Sequence, residues 1–263
     1  MSHQTQPLAL VTGGGSGIGR GIALALARRG MALALAGRRA DRLAAVAAEI
    51  QAAGGSASCL QADLTDPGQI ADLAERAAAL GLLRVLVNCA GALAGGPFAE
   101  RSPAEIEQAV ALNLLAPLLL TRRLLPELRA RGGAVVLVGS MLSFVPLPGA
   151  ALYAATKHGL RAFGAALRCE LAGTGVRLLT AHPPGTATAL TAGMRRRAPA
   201  LYRPARPEQV GERIVLALEQ GREELAWGAG ERLLIGMERL APTLAARLIR
   251  RFRGPIMDLF AAG

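Results

Sequence analysis

Short apolar runs alternate with stretches of helical period from one end of the chain to the other. Residues 8–12, 31–36, 83–87 and 134–138 are mostly apolar runs of strand length, and 57–61, 176–181 and 225–227 also read as strands. Between them, apolar residues return every three or four positions after the glycines at 13–19 as far as 29, over 41–53, 104–131, 152 to about 171, and 207–220. Asp66 followed by Pro67 reads as an N-cap and first helical position, which starts one further helix. Regular alternation of strand and helix predicts parallel strands joined by right-handed crossovers, hence an α/β doubly wound sheet with helices on both faces. Ligands of such a sheet sit beyond the carboxyl ends of its strands. The chemically notable residues fall there, just after a strand or at the start of the next helix.

No repeat, linker or composition break divides the chain, so a single domain is expected over residues 1–230, with 231–263 a helical extension of it. Hydrophobic residues make up 52% of the 263, aromatics only 3%, so the core must be aliphatic, and disorder is excluded. Cys59, Cys89 and Cys169 are odd in number and lack metal-ligand spacing; they read as reduced thiols, and no metal site is expected. The first seven residues are polar and the next apolar run is short, unlike a secretory signal. Apolar runs such as 114–120, interrupted by Pro117, fall well short of the ~20 residues that span a bilayer, so a cytoplasmic protein is expected. A net charge of +11 raises the question of nucleic acid, but the arginines are dispersed and stacking aromatics are few, so no nucleic-acid partner is expected.

The first strand runs straight into Gly13-Gly14-Gly15-Ser16-Gly17-Ile18-Gly19 and a helix. A glycine turn at a helix N-terminus offers free N–H groups and a favourable dipole to a phosphate. The second strand ends in Gly37-Arg38-Arg39, with no acid before Asp41. An acid there would bond a ribose 2′-hydroxyl; arginine suits a 2′-phosphate, which favours NADP(H) over NAD(H). Asn113 is a polar residue in an apolar helix and is either a structural bridge or part of a site. Tyr153 and Lys157 stand one turn apart on one helix face, so an ammonium beside a phenol is expected to lower the phenol's pKa.

Thr12-Gly13-x-x-x-Gly17-x-Gly19, Asn88-x-Ala90-Gly91, Asn113, Ser140, Tyr153-x-x-x-Lys157 and Pro183 with Gly185 occur in the order and spacing of the short-chain dehydrogenase/reductase family. The resemblance covers residues 8–227 and implies a Rossmann-type sheet of about seven strands in the order 3-2-1-4-5-6-7. It implies that Tyr153 is the general acid or base, Lys157 binds the nicotinamide ribose, Ser140 bonds the substrate oxygen, and Asn113 holds a water in a proton relay. Gly13, Ser16, Gly17, Ile18 and Gly19 would cradle the pyrophosphate, with Arg38 and Arg39 setting cofactor choice. Asp63, Leu64, Asn88, Ala90 and Gly91 would serve the adenosine side, and Pro183, Gly185 and Thr186 the carboxamide. The chain departs from the family in carrying Ser16 where NADP users often have a base.

Residues 186–207 correspond to the family's substrate lid; Leu190 and Met194, with Leu142, suggest an apolar pocket. Arg195-Arg196-Arg197 would either meet an acidic substrate tail or face water, and water is favoured. In the extension, Leu233, Leu234, Met237, Leu240, Leu244, Leu248, Phe252 and Ile256 recur at helical spacing with an arginine fringe. Packing on the domain is favoured over lying on an anionic membrane. The functional reading is reduction of a small-molecule carbonyl, or oxidation of a secondary alcohol. A 3-oxoacyl-thioester reductase is the alternative, with a non-catalytic nucleotide-binding scaffold or a peripheral membrane-associated protein anchored by residues 231–260 as further ones, and a homodimer or homotetramer is implied by the resemblance.

Overall fold

The computed structural model describes residues 6–197 and 203–260. Its strands are β1 (Pro7–Thr12), β2 (Ala32–Gly37), β3 (Ala57–Gln61), β4 (Leu82–Asn88), β5 (Ala134–Val138), β6 (Arg177–His182) and β7 (Glu224–Ala226). They form one parallel sheet in the order β3-β2-β1-β4-β5-β6-β7. Boundaries move by a residue or so from the sequence expectation, as strand ends do.

Side chains alternate across the pleat, and this sorts the core into two layers. From β1, Ala9 and Val11 face α1 (Gly17–Ala27), α2 (Ala40–Ala52) and α8 (Pro207–Glu219), meeting Ile22, Leu43 and Ile214. Leu8 and Leu10 face α3 (Pro67–Ala79), α5 (Ala116–Ala130) and α6 (Ala151–Glu170), meeting Leu73, Leu124 and Leu160. The helices α1 and α8 touch backbone to backbone, because a Cβ on Gly21 would collide with the Pro207 carbonyl. Asp66 caps α3 as its sequence predicts, accepting from the N–H groups of Gly68 and Gln69.

The single helix expected over 104–131 is instead α4 (Pro103–Val110), one π turn (Ala111–Leu115) and α5. Pro117 has no N–H to return to the Asn113 carbonyl four residues back, so the helix widens there. Residues Pro103–Ala130 are long and apolar enough to cross a membrane by length and composition. Ala109, Leu120, Leu124 and Leu128 are nonetheless buried in the fold, as in a core helix.

Beyond the sheet lie α7 (Ala192–Arg197) in the lid, then α9 (Ala229–Leu240), α10 (Pro242–Arg251) and α11 (Arg253–Phe260). A parallel bridge between Thr186 and Ala205 closes the neck of the lid segment. The extension packs only in part. Ile235, Ala245, Ile249 and Phe260 turn inward, whereas Leu233, Leu240, Leu244, Leu248 and Phe252 are exposed. The expected packing thus holds for one face of the tail and fails for the other, while the side chain of Leu234 lies outside the description.

Candidate active site

A cleft of about 630 Å³ runs along the carboxyl ends of the central strands. At one end the chain turns from β1 through Gly13–Gly15 into α1. Ser16 is the N-cap of α1, and its side chain makes no capping bond, so the first-turn N–H groups are left for a ligand. Gly13 and Gly17 have φ of +67° and +53°, a region that suits glycine. A Cβ on Gly13 would stand 3.0 Å from the Ala90 backbone, one on Gly17 would stand 2.9 Å from Thr188, and one on Gly19 would strike the Gly13 carbonyl. The turn is a side-chain-free cradle of the shape a diphosphate needs. Thr12 holds it to β4, its hydroxyl donating to the Val87 carbonyl and accepting the N–H groups of Cys89 and Ala90.

Arg38 and Arg39 are exposed at the end of β2 and line the cleft beside the turn. Arg39 donates to the Ser16 hydroxyl at 3.4 Å. Arg42, one turn into α2, lines the same wall and packs under Gly15; sequence reasoning missed it, although it shares a face with Arg38 and Arg39. Ile18, Leu64, Ala90 and Gly91 are also in the wall.

Asp63 is not in that wall. Its carboxylate accepts from the N–H and hydroxyl of Thr65 at 2.9 and 2.8 Å. The backbone bond is the main reason its pKa lies below the usual value. Asn88 is likewise turned away: its amide donates to the Thr121 hydroxyl, tying β4 to α5, so the side chain expected on the adenosine side is a structural bridge. The same holds for Asn113 in the π turn. Its carbonyl accepts from Ala92 N–H at 2.8 Å and its NH₂ donates to Ala92 O at 2.9 Å, with Thr156 at 3.4 Å. Asn113 is fully buried and lies outside the cleft lining.

The other end of the cleft holds Ser140, Tyr153 and Lys157 together. Ser140 follows β5 and caps the short 3₁₀ turn Met141–Ser143, accepting the Leu142 N–H at 3.1 Å. Ser140 and Tyr153 line the cleft together, and the serine side chain favours the phenolate. Lys157, 4% exposed, donates to the Val138 carbonyl at 3.0 Å, with its ammonium 5.6 Å from the Tyr153 ring centroid. A Cβ on Gly91 would stand 3.1 Å from the Asn113 carbonyl oxygen and 3.6 Å from the ammonium, so a glycine there keeps these groups close.

The expected lowering of the tyrosine pKa does not arise among these side chains. Burial pushes the Tyr153 phenol up to about 12, and the Ser140 side chain only partly offsets it. Burial also brings Lys157 down to about 8. Removing a charge from water dominates both shifts. The Cys89 thiol, pushed up to about 12 by burial, is neutral and carries no nucleophile.

Pro183, Gly185 and Thr186 line the cleft after β6, as do Leu142, Leu190 and Met194. The hydroxyl of Thr186 donates to the Pro184 carbonyl at 2.8 Å, whereas Thr188 stands over Gly17, beside the cradle. Thr188 and Phe260 were not anticipated. Phe260, 4% exposed, comes from the far end of the chain to pack with Leu142, Tyr153 and Met194. Two loops make room for it: a Cβ on Gly95 or Gly149 would stand 2.8 or 2.9 Å from Phe260. His182, to which the sequence assigned no chemistry, is fully buried behind the serine. Its Nδ1 faces the Ser140 carbonyl at 3.3 Å and its Nε2 faces Glu224 at 3.2 Å. His158 bonds only its own helix, through the Ala154 carbonyl. Among the described residues no cluster of three metal-ligating side chains occurs.

Residues 7–199 match the family model described as short chain dehydrogenase. The chain is 32% identical over 261 residues to the ketoacyl reductase HetN of Nostoc sp., covering 96% of this chain and 91% of that protein. A putative NAD(P)-dependent gluconate 5-dehydrogenase from Beutenbergia cavernae, solved with bound NADP, superposes with a TM-score of 0.76 at 38% identity, over 84% of this chain and 94% of that one. A 3-oxoacyl (acyl-carrier-protein) reductase from Agrobacterium tumefaciens, also with NADP, gives 0.77 at 30%, over 85% and 93%. With the glycine cradle at one end of the cleft and serine, tyrosine and lysine at the other, these likenesses establish that the chain belongs to the short-chain dehydrogenase/reductase family of oxidoreductases.

Proposed function

We propose that this protein is an NADP(H)-dependent oxidoreductase interconverting a carbonyl and a secondary alcohol in a mostly apolar pocket. The observation that carries the reading is that Ser140, Tyr153 and Lys157 line the same cleft as the glycine cradle. The Gly13–Gly19 turn would take the diphosphate, and Arg38, Arg39 and Arg42 the 2′-phosphate. Leu64, Ala90 and Gly91 would wall the adenosine side; Pro183, Gly185, Thr186 and Thr188 would wall the carboxamide side. A bound nicotinamide supplies or accepts the hydride.

The chain's own part is to handle the oxygen. Ser140 donates to the substrate oxygen as negative charge builds on it, an oxyanion-type contribution. Tyr153, protonated at neutral pH, gives that oxygen its proton and is restored through the neighbouring Lys157. The lysine is aimed by the Val138 carbonyl, and Asn113 holds the Ala92 segment against α6 so that the ammonium stays in place. Leu142, Leu190, Met194 and Phe260 present an apolar surface to the substrate's carbon skeleton.

A 3-oxoacyl-thioester reductase is the second reading. It is favoured by the names of two relatives and by Arg196 and Arg197, exposed on the lid helix where an acidic carrier would approach. We further read residues 1–230 as one catalytic unit with the lid at about 186–207 and the extension at 231–263, working in the cytoplasm as a homodimer or homotetramer. Exposed Val110 and Leu115 along α4 and the π turn suit such an assembly. The test is a titration of NADPH against NADH, followed by a panel of ketones and carrier-bound 3-oxoacyl substrates at two salt concentrations. Preference for NADPH with salt-insensitive ketone reduction supports the first reading. Activity confined to carrier-bound substrate and lost in salt supports the second.

A further inference from the structure

The extension buries one face and exposes another that is just as apolar. Leu240 is 89% exposed, Leu233 74%, Phe252 54%, Leu244 50% and Leu248 46%. On α10, Leu244 and Leu248 stand one turn apart, and Arg247 and Arg251 lie three residues beyond each, on the same side of the helix. From Pro242 to Met257, across α10 and the start of α11, the sequence holds Arg247, Arg250, Arg251 and Arg253 and no carboxylate, whereas α9 carries Glu231 and Glu238. All four arginines are exposed.

We propose that this face of α9 and α10 docks on an anionic phospholipid surface. Leucines would enter the acyl boundary while arginines beside them reach the phosphates, the arrangement of an interfacial amphipathic helix. Charge complementarity decides against the other occupants. A second copy meeting the α10 part of this patch about a twofold axis would set Arg247 and Arg251 against their own images, with no acid on α10 between them. Nucleic acid would meet the charge but find only Phe252 to stack on and a row of leucines left in water. The docking helices connect to the pocket through the chain. α11 follows α10 directly, and its eight residues, about 12 Å of helix, end at Phe260 beside Tyr153. Docking therefore brings an apolar pocket close to where apolar carbonyl compounds partition. This last step rests on the oxidoreductase reading; the docking itself does not.

The test is sedimentation of the full chain with vesicles of equimolar phosphatidylglycerol and phosphatidylcholine, and with phosphatidylcholine alone. A water-soluble ketone is assayed in parallel without vesicles. The expected result is binding to the anionic vesicles, at least about tenfold weaker binding to the neutral ones, and loss of binding in about 0.5 M salt. Leu244→Ser/Leu248→Ser abolishes binding, and Arg247→Gln/Arg251→Gln weakens it about tenfold. Both double variants keep the parent Tm and ketone activity. No binding to anionic vesicles, or equal binding by the two double variants, overturns the proposal. So does a concentration-dependent doubling of mass that Leu244→Ser/Leu248→Ser removes, since a second copy then covers the face. Vesicle binding without any ketone reduction supports docking and overturns the ketone-reductase reading alone.

Discussion

The Lys157 ammonium lies 5.6 Å from the centroid of the Tyr153 ring, yet its hydrogen bond goes to the Val138 carbonyl at the end of β5. The sheet, not the tyrosine, fixes the lysine. Burial acts on the pair in opposite directions, raising the phenol to about 12 and lowering the ammonium to about 8. At neutral pH both therefore carry their protons, which suits a site that gives a proton to a carbonyl oxygen.

The pH dependence follows from the lysine. The folded pKa of Lys157 lies below its ordinary value, so the cation is present below about 8 and is lost as pH rises through it. Tyr153 stays protonated across that range. kcat/KM for carbonyl reduction is expected to be flat below pH 8 and to fall about tenfold per unit above it. Lys157→Arg keeps a cation and moves the falling limb to higher pH; a limb unmoved in that variant would assign the titration elsewhere.

On the proposed reading, cofactor choice rests on Arg38 and Arg39, with Arg42 behind them. A charged hydrogen bond is worth roughly 1.5–3 kcal/mol. Arg38→Ala/Arg39→Ala should accordingly raise KM for NADPH about 10–100-fold and leave KM for NADH near its starting value. Arg42→Ala should act the same way but less. Parallel loss with both cofactors would mean that the arginines hold the loop rather than the phosphate.

Phe260 should shape the pocket. Phe260→Ala removes a buried ring beside Tyr153, at about 3–5 kcal/mol of stability. It should also widen the substrate range toward bulkier ketones, read as a lower KM for the larger members of a panel. Gly149→Ala, whose Cβ would stand 2.9 Å from Phe260 at a φ of +80°, should displace the same ring and shift the panel the same way. The two effects should not add, because they act through one contact.

The sheet was legible because burial on both faces writes strands as plain apolar runs and crossovers as helical period. β1 to β7 appear in the sequence within a residue or two of their place. The cradle was equally legible, since glycines that cannot carry a Cβ must be written as glycines. What stayed hidden depends on contacts between distant segments. Phe260 meets Gly95 and Gly149 across more than a hundred residues, and His182 pairs with Glu224 from the neighbouring strand. The roles expected for Asn88, Asn113 and Asp63 carried the family's residue types, but the partners of their side chains, Thr121, Ala92 and Thr65, could not be read from spacing. A helical wheel shows the lysine one turn from Tyr153 but not the depth of burial that pushes the phenol up among the protein's own side chains.

The most direct measurement of the central claim is single-turnover hydride transfer from NADPH to a ketone by the parent protein and by Tyr153→Phe, with NADPH binding measured alongside. If Tyr153 delivers the proton, the variant binds NADPH as the parent does and transfers hydride about 10²–10⁴-fold more slowly. Equal transfer rates with equal binding would contradict the account.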